Sequence, residues 1–299
     1  MRNILVIRLG ALGDFARSFP AFAAIRAHHA ADQVTLLTTP LFASLALESP
    51  WFNQVRVDTR PSWFDVPAVL RLRRQLCGFD MVYDLQTSRR TARYFWLAGR
   101  PNWSGVAVGC SHPQRNPRRG DMHTVERQRD QLEDAGVTET PEPDVTWLAG
   151  QGPVLPVPYA ILAPGTSGTH GGAKSWPLPR FAELAQALVA RGLTPVVVGT
   201  PADAEAAAAI QKAEPRTMDL TGQTSLQDLA GLAARAKMAI GGDTGPIHLA
   251  GVMGCPTVAL FSRYSDKITA APVGPTTVVQ ADTLADLPLG RVVAALPGG

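Results

Sequence analysis

Ala239-Ile240-Gly241-Gly242-Asp243-Thr244-Gly245-Pro246-Ile247-His248-Leu249-Ala250 reads as a strand, a tight turn and a helix. The apolar run 238–240 is the strand, and two glycines end it. Pro246 suits a first helical turn, so the helix starts there. The turn presents the Asp243 carboxylate, the Thr244 hydroxyl and backbone N–H groups at a helix N-terminus, and His248 lies on the first turn. Such a corner suits a phosphate or a sugar.

Outward from this corner the same unit repeats. Strands are expected over 159–163, 194–199, 218–220, 237–240, 256–261 and 276–280. Helices are expected over 178–191, 202–213, 226–236, 246–253 and 289–296. The first half alternates in the same way. Its strands, 3–8, 33–38, 54–58, 80–85 and 103–108, are interspersed with helices over 18–29, 63–76 and 91–98. A polar helix over 121–135 closes on Gly136. Continuous apolar strands between helices mark a parallel sheet covered on both faces. Pro141, Pro143, Pro153, Pro156 and Pro158, with Gly150 and Gly152, mark an interdomain linker. The predicted architecture is α/β: two Rossmann-like parallel-sheet domains, 1–150 and 151–299, facing a central cleft.

The 299 residues suffice for two such domains. No apolar run approaches the ~18–20 residues that cross a bilayer. Arg8 follows the first apolar run at once, so the N-terminus reads as a strand and not a signal peptide. Cys77, Cys110 and Cys255 are scattered, lack metal-site spacing and fit a reducing cytoplasm. The net charge of +3 hides an asymmetry. Residues 1–150 hold 18 arginines, no lysine and 15 acids, whereas 151–299 balance 10 basic against 10 acidic residues. Arginines cluster as Arg71, Arg73, Arg74, then Arg89, Arg90, Arg93, then Arg115, Arg118, Arg119. Guanidinium forks suit phosphates and carboxylates, although a solvated helix face gives the same pattern. The clusters lack interleaved aromatics, which argues against a nucleic-acid partner.

Two further loops carry polar chemistry at strand ends. Arg8-Leu9-Gly10-Ala11-Leu12-Gly13-Asp14 follows the first strand, where ligands of open α/β sheets bind. It lacks the Gly-x-Gly-x-x-Gly fingerprint. Its glycines admit a close backbone approach, and Asp14 is either a helix cap or a functional carboxylate. Gly165-Thr166-Ser167-Gly168-Thr169-His170-Gly171-Gly172-Ala173-Lys174 follows the strand 159–163. Hydroxyls, backbone N–H groups and one of the chain's four lysines make either a pyrophosphate cradle or a surface loop. It is not a P-loop, because Ala173 precedes Lys174.

The stretches 4–14, Asp84-Leu85-Gln86, His123-Thr124-Val125-Glu126-Arg127, Lys174-Ser175-Trp176-Pro177 and 242–250 resemble glycosyltransferase family 9, the ADP-heptose:lipopolysaccharide heptosyltransferases. The resemblance spans residues 3 to 262. It implies a GT-B fold and inverting transfer of a sugar from a nucleotide diphosphate. It implies Asp14 as general base, and Thr166, Ser167 and Lys174 on the diphosphate. Thr244 and Gly245 would add phosphate contacts, and Asp243 and His248 would face the donor sugar. Thr224 would lie near the base, and either Asp203 or Glu205 would take the ribose hydroxyls. Arg8, Gly13, Arg89, Arg90 and Arg93 are the candidate acceptor contacts, suited to an acidic glycolipid such as phosphorylated, Kdo-bearing lipid A. There is no Asp-x-Asp triplet for a divalent metal, so lysine and helix dipole are expected to do that work. No metal and no cofactor beyond the ADP-sugar substrate are expected. The expected protein is a cytoplasmic monomer, peripheral on the inner membrane. A sugar-nucleotide epimerase on the same fold, or a family member with another donor or acidic acceptor, remains the alternative.

Overall fold

The computed structural model describes residues 1–165 and 175–298. The chain divides into two compact units, Met1–Asp144 and Val145–Gly299.

Among the described residues, the first unit has six parallel strands: β1 (Asn3–Ile7), β2 (Gln33–Thr38), β3 (Gln54–Val57), β4 (Met81–Asp84), β5 (Trp103–Gly105) and β6 (His112–Pro113). They lie in the order β3-β2-β1-β4-β5-β6. Its helices are α1 (Leu12–Ala16), α2 (Phe19–His28), α3 (Pro40–Glu48), α4 (Val66–Leu76), α5 (Arg89–Leu97) and α6 (Thr124–Glu133). The second unit has β7 (Tyr159–Ala163), β8 (Thr194–Val197), β9 (Met218–Asp219), β10 (Met238–Gly242), β11 (Thr257–Phe261) and β12 (Thr276–Gln280), ordered β12-β11-β10-β7-β8-β9. Its helices are α7 (Thr146–Ala149), α8 (Leu178–Ala190), α9 (Ala204–Ala213), α10 (Leu226–Arg235), α11 (Gly245–Val252), α12 (Lys267–Ala270) and α13 (Leu289–Ala294). Each sheet therefore winds outward from its first strand and reverses beside its fourth, which is the doubly wound order.

Burial explains the strands. β7 is fully buried and β1 is buried from Ile4 onward, so both read as continuous apolar runs. In the first unit, Leu72 and Leu76 of α4 and Tyr94 and Phe95 of α5 share one core with Leu5, Ile7 and Val82 of the sheet. In the second, α8, α9 and α13 close on β7, β10 and β11.

The structure departs from the sequence reading at informative places. α3 was not expected, because its apolar residues leave no clear polar face to set a period. Gly241 and Gly242 do not form the turn; they are the last two residues of β10. A Cβ on Gly241 would stand 2.7 Å from the Ala163 carbonyl oxygen and 2.9 Å from Ile247 Cγ1. The glycine marks a close approach inside the strand. The proline-rich segment is also tied down. The Arg235 guanidinium donates to the carbonyls of Ala149 (2.6 Å), Gln151 (2.8 Å) and Pro153 (2.9 Å). Residues 145–153 thus belong to the second unit.

Candidate functional site

The two switch points, β1 beside β4 and β7 beside β10, collect the polar loops. In the first unit the loops after β1 and β4 are bonded together. Leu9 N–H donates to Gln86 Oε1 (2.9 Å), and the buried Arg8 guanidinium donates to the Leu85 carbonyl (2.6 Å).

Asp14 is the third residue of α1, and Ala11 occupies the cap position. Its carboxylate caps nothing. Oδ1 faces Arg17 at 2.7 Å and Arg8 at 3.5 Å. Oδ2 has no partner among the described residues, and the side chain is 37% exposed. Arg8 also donates to the Asp14 carbonyl (2.9 Å). Ser18 Oγ does so too (2.8 Å), while accepting from Gln128 of α6 (2.8 Å). Arg127 of the His123–Arg127 motif adds a third guanidinium that acts electrostatically on Asp14.

Arg8 was expected to meet the acceptor. It is instead 3% exposed, and burial lowers its pKa to about 10. Its hydrogen bonds go inward, so it braces Asp14 from beneath. Gly13 is buried in α1. The Arg89–Arg93 cluster also divides. Arg90 donates to Tyr94 Oη and to the Pro61 carbonyl, both at 2.6 Å. It lies over the Trp63 ring, as Arg93 does. Aromatic partners thus exist where the sequence reading found none. Only Arg89 of the three, exposed at the start of α5, has no side-chain partner among the described residues.

Beside these loops lies a pocket of about 600 Å³, lined by Leu9, Gly10, Ala11, Thr39, Phe42, Asp58, Arg60 and Gln86 among others. Gly10 has φ +103°, and a Cβ there would strike the Phe42 ring. Only glycine fits both constraints. Arg60 donates to the Leu9 carbonyl (2.5 Å). The buried Asp58 accepts from Arg60 N–H (2.7 Å) and Tyr94 Oη (2.6 Å). Sequence reasoning missed Asp58 and Arg60. The available signal was their place at the carboxyl end of β3, on the edge that carries the other loops.

Asp84 ends β4 fully buried, with Oδ1 accepting from Gln86 N–H (3.1 Å) and Thr87 N–H (3.0 Å). Burial raises its pKa to about 6. The folded state therefore binds this proton more tightly than the unfolded chain. The stabilisation is complete below about pH 3.8 and is lost as pH rises through about 6. Across that window it amounts to on the order of 3 kcal/mol. Asp84→Asn should remove this dependence. Urea midpoints at pH 4.5 and 7.5 should show the variant gaining relative to the unsubstituted protein at the higher pH.

In the second unit, Asp243 follows β10 and His248 sits on the first turn of α11. His248 Nε2 and Asp243 Oδ1 are 2.9 Å apart, and His248 is 2% exposed. The two act as one unit, with the histidine behind the carboxylate. Thr244 caps α11 through its backbone only; its Oγ1 is buried without a hydrogen-bond partner among the described residues. An orphaned hydroxyl at a helix N-terminus is suited to an anion. Asp203 stands against Gly165 and Gly199, at the ends of β7 and β8, with Oδ2 closing its own turn on Thr200. Glu205 is exposed on α9, and Thr224 is half-buried just before α10. Thr166, Ser167 and Lys174 lie outside the described residues. The loop that bears them leaves through the buried Trp176, whose indole N–H donates to the Leu287 carbonyl (2.9 Å).

Two doubly wound units, one with a helix end suited to an anion and one with a braced carboxylate beside a pocket, fit a nucleotide-sugar glycosyltransferase. The family model for glycosyltransferase family 9 (heptosyltransferase) matches residues 69–288. The chain belongs to this family and is a glycosyltransferase. A putative glycosyltransferase of Haemophilus influenzae is 26% identical over 302 residues, covering 91% of this chain and 86% of that protein. The structure of E. coli ADP-heptose lps heptosyltransferase II superposes with TM-score 0.80 at 23% identity, covering 98% of this chain and 97% of that one. E. coli heptosyltransferase WaaC with ADP superposes with TM-score 0.82 at 20% identity, covering 97% of each chain. The fold is GT-B.

Proposed function

We propose that the protein moves a heptose from ADP-heptose to an acidic acceptor of the lipopolysaccharide inner core, inverting the anomeric carbon without a metal. The observation that carries this reading is the Asp14 carboxylate, held on one oxygen by Arg17 and Arg8 and open on the other, in the helix that follows the Leu9-Gly10-Ala11 wall of the 600 Å³ pocket. Asp14 Oδ2 takes the proton of the acceptor hydroxyl as its oxygen attacks the heptose anomeric carbon. The bond from that carbon to the diphosphate breaks, and ADP leaves with the electron pair. Charge growing on the leaving diphosphate meets Lys174, Thr166 and Ser167, the Thr244 hydroxyl and the Gly245 end of α11. Fixed donors aimed at such charge stabilise the transition state. Asp243, oriented by His248, takes the heptose hydroxyls. Asp203, at the strand ends, takes the ribose in preference to the outward Glu205, and Thr224 borders the base. Arg60 and Arg89 meet the acidic groups of the acceptor, which lies at the cytoplasmic face of the membrane.

The test is a donor panel of ADP-heptose, UDP-sugars and GDP-sugars, with nucleotide release measured with and without an acidic glycolipid acceptor.

A further inference from the structure

The outer face of α4 and α5 carries cations and apolar side chains that the catalytic reading does not use. Both helices turn their apolar sides into one core, so they lie side by side on the same face of the first sheet. Trp63, ahead of α4, packs on Tyr94 of α5, and Cys77 Sγ after α4 reaches the Ala98 carbonyl after α5. Neither helix contains an acidic residue. Residues 59–120 hold eleven arginines against three acids. Those acids are committed elsewhere: Asp65 caps α4, Asp80 accepts from Asn3 N–H and Asp84 is buried. Arg71, Arg73 and Arg74 are exposed, with no side-chain partner among the described residues. Among these cations Phe64 is 96% exposed, Val66 60%, Leu70 47% and Trp96 51%. The Arg100 guanidinium lies 4.0 Å over the Trp96 ring.

We infer that this face docks the protein on an anionic phospholipid bilayer. Lysine and arginine draw a protein to anionic headgroups, and exposed aromatic and aliphatic side chains enter the headgroup boundary. Aliphatic Val66 and Leu70 beside the arginines favour a lipid surface over stacked nucleobases. Position supports the same occupant. Arg60 lines the pocket and Phe64 follows four residues later, at most roughly 14 Å of extended chain. A headgroup sugar could enter the pocket while its lipid stays in the bilayer. The inference builds on the membrane-borne acceptor proposed above. Its test needs neither donor nor acceptor, so failure of one is distinguishable from failure of the other.

The full chain is sedimented with phosphatidylcholine vesicles, alone or doped with phosphatidylglycerol. Binding is expected only to the anionic vesicles and should weaken with salt. Arg71→Glu with Arg74→Glu should lower it at least about thirtyfold, because each basic residue near the surface is worth about fivefold. Phe64→Ser should remove the binding that survives high salt. Circular dichroism should show both variants folded, since all three positions are exposed; should the double variant misfold, Phe64→Ser alone decides. Equal binding to neutral and anionic vesicles, or unchanged binding by the folded variants, would overturn the inference. So would a dimer dispersed by Phe64→Ser without vesicle binding, or binding to a single-stranded oligonucleotide in place of vesicles.

Discussion

Asp14→Asn should lower transfer from ADP-heptose at least a hundredfold while donor affinity stays within about twofold, because a positioned base contributes about 10²–10⁴-fold. Asparagine keeps the shape of the side chain and can still accept from Arg17, but it cannot take a proton. The two guanidinium contacts fall on Oδ1, so the lost function is that of Oδ2. Some stability should also be lost, because Arg8 and Arg17 are buried and give up a counter-charge. With Asp14 more than a third exposed, that loss should be about 1 kcal/mol. Calorimetric donor binding and a melting curve separate it from the catalytic effect. Near-normal turnover in the folded variant would refute the base assignment.

Thr244→Val should act in the opposite sense on stability and activity. The hydroxyl oxygen is buried with no partner among the described residues, and valine matches its shape. Removing an unsatisfied buried polar group should leave stability unchanged or slightly raised. If the hydroxyl is a diphosphate donor, its loss should cost about 2.7–4 kcal/mol in the transition state, a hundredfold or more in kcat. A variant that melts at or above the temperature of the unsubstituted protein yet turns over a hundredfold more slowly would identify a binding hydroxyl. A variant that loses stability and keeps its turnover would identify a structural one.

Much of the fold could be read from local pattern. β7 and β12 fall on their expected residues, 159–163 and 276–280: β7 is a fully buried apolar run, and β12 is a β-branched stretch, half-buried at the sheet edge, and both are bounded by proline, glycine or polar turns. α3 escaped because apolar residues nearly all round hide the helical period. The strand and helix around 239–250 were legible, but the role of Gly241 was not. Its reason is the Ala163 carbonyl, 78 residues away in the chain.

The candidate site divides in the same way. Loops at strand ends were visible as motifs, because glycines and polar groups interrupt apolar runs. Which polar group faces a ligand was not visible, since that depends on distant partners. Arg8 looks like an acceptor contact until the Leu85 carbonyl and Asp14 claim its donors. Arg90 looks like one until Tyr94 and the Pro61 carbonyl do the same. Asp58 and Arg60 had no motif at all, and the fold alone joins them to Tyr94 and Leu9.

The central claim is glycosyl transfer that requires an acceptor. Its most direct measurement is nucleotide release from ADP-heptose, UDP-sugars and GDP-sugars by the unsubstituted protein, each with and without the acidic glycolipid. ADP release from ADP-heptose is expected only when acceptor is present, with a heptosylated lipid as co-product and little turnover of the other donors. Acceptor-independent conversion of a UDP-sugar would contradict it and establish an epimerase.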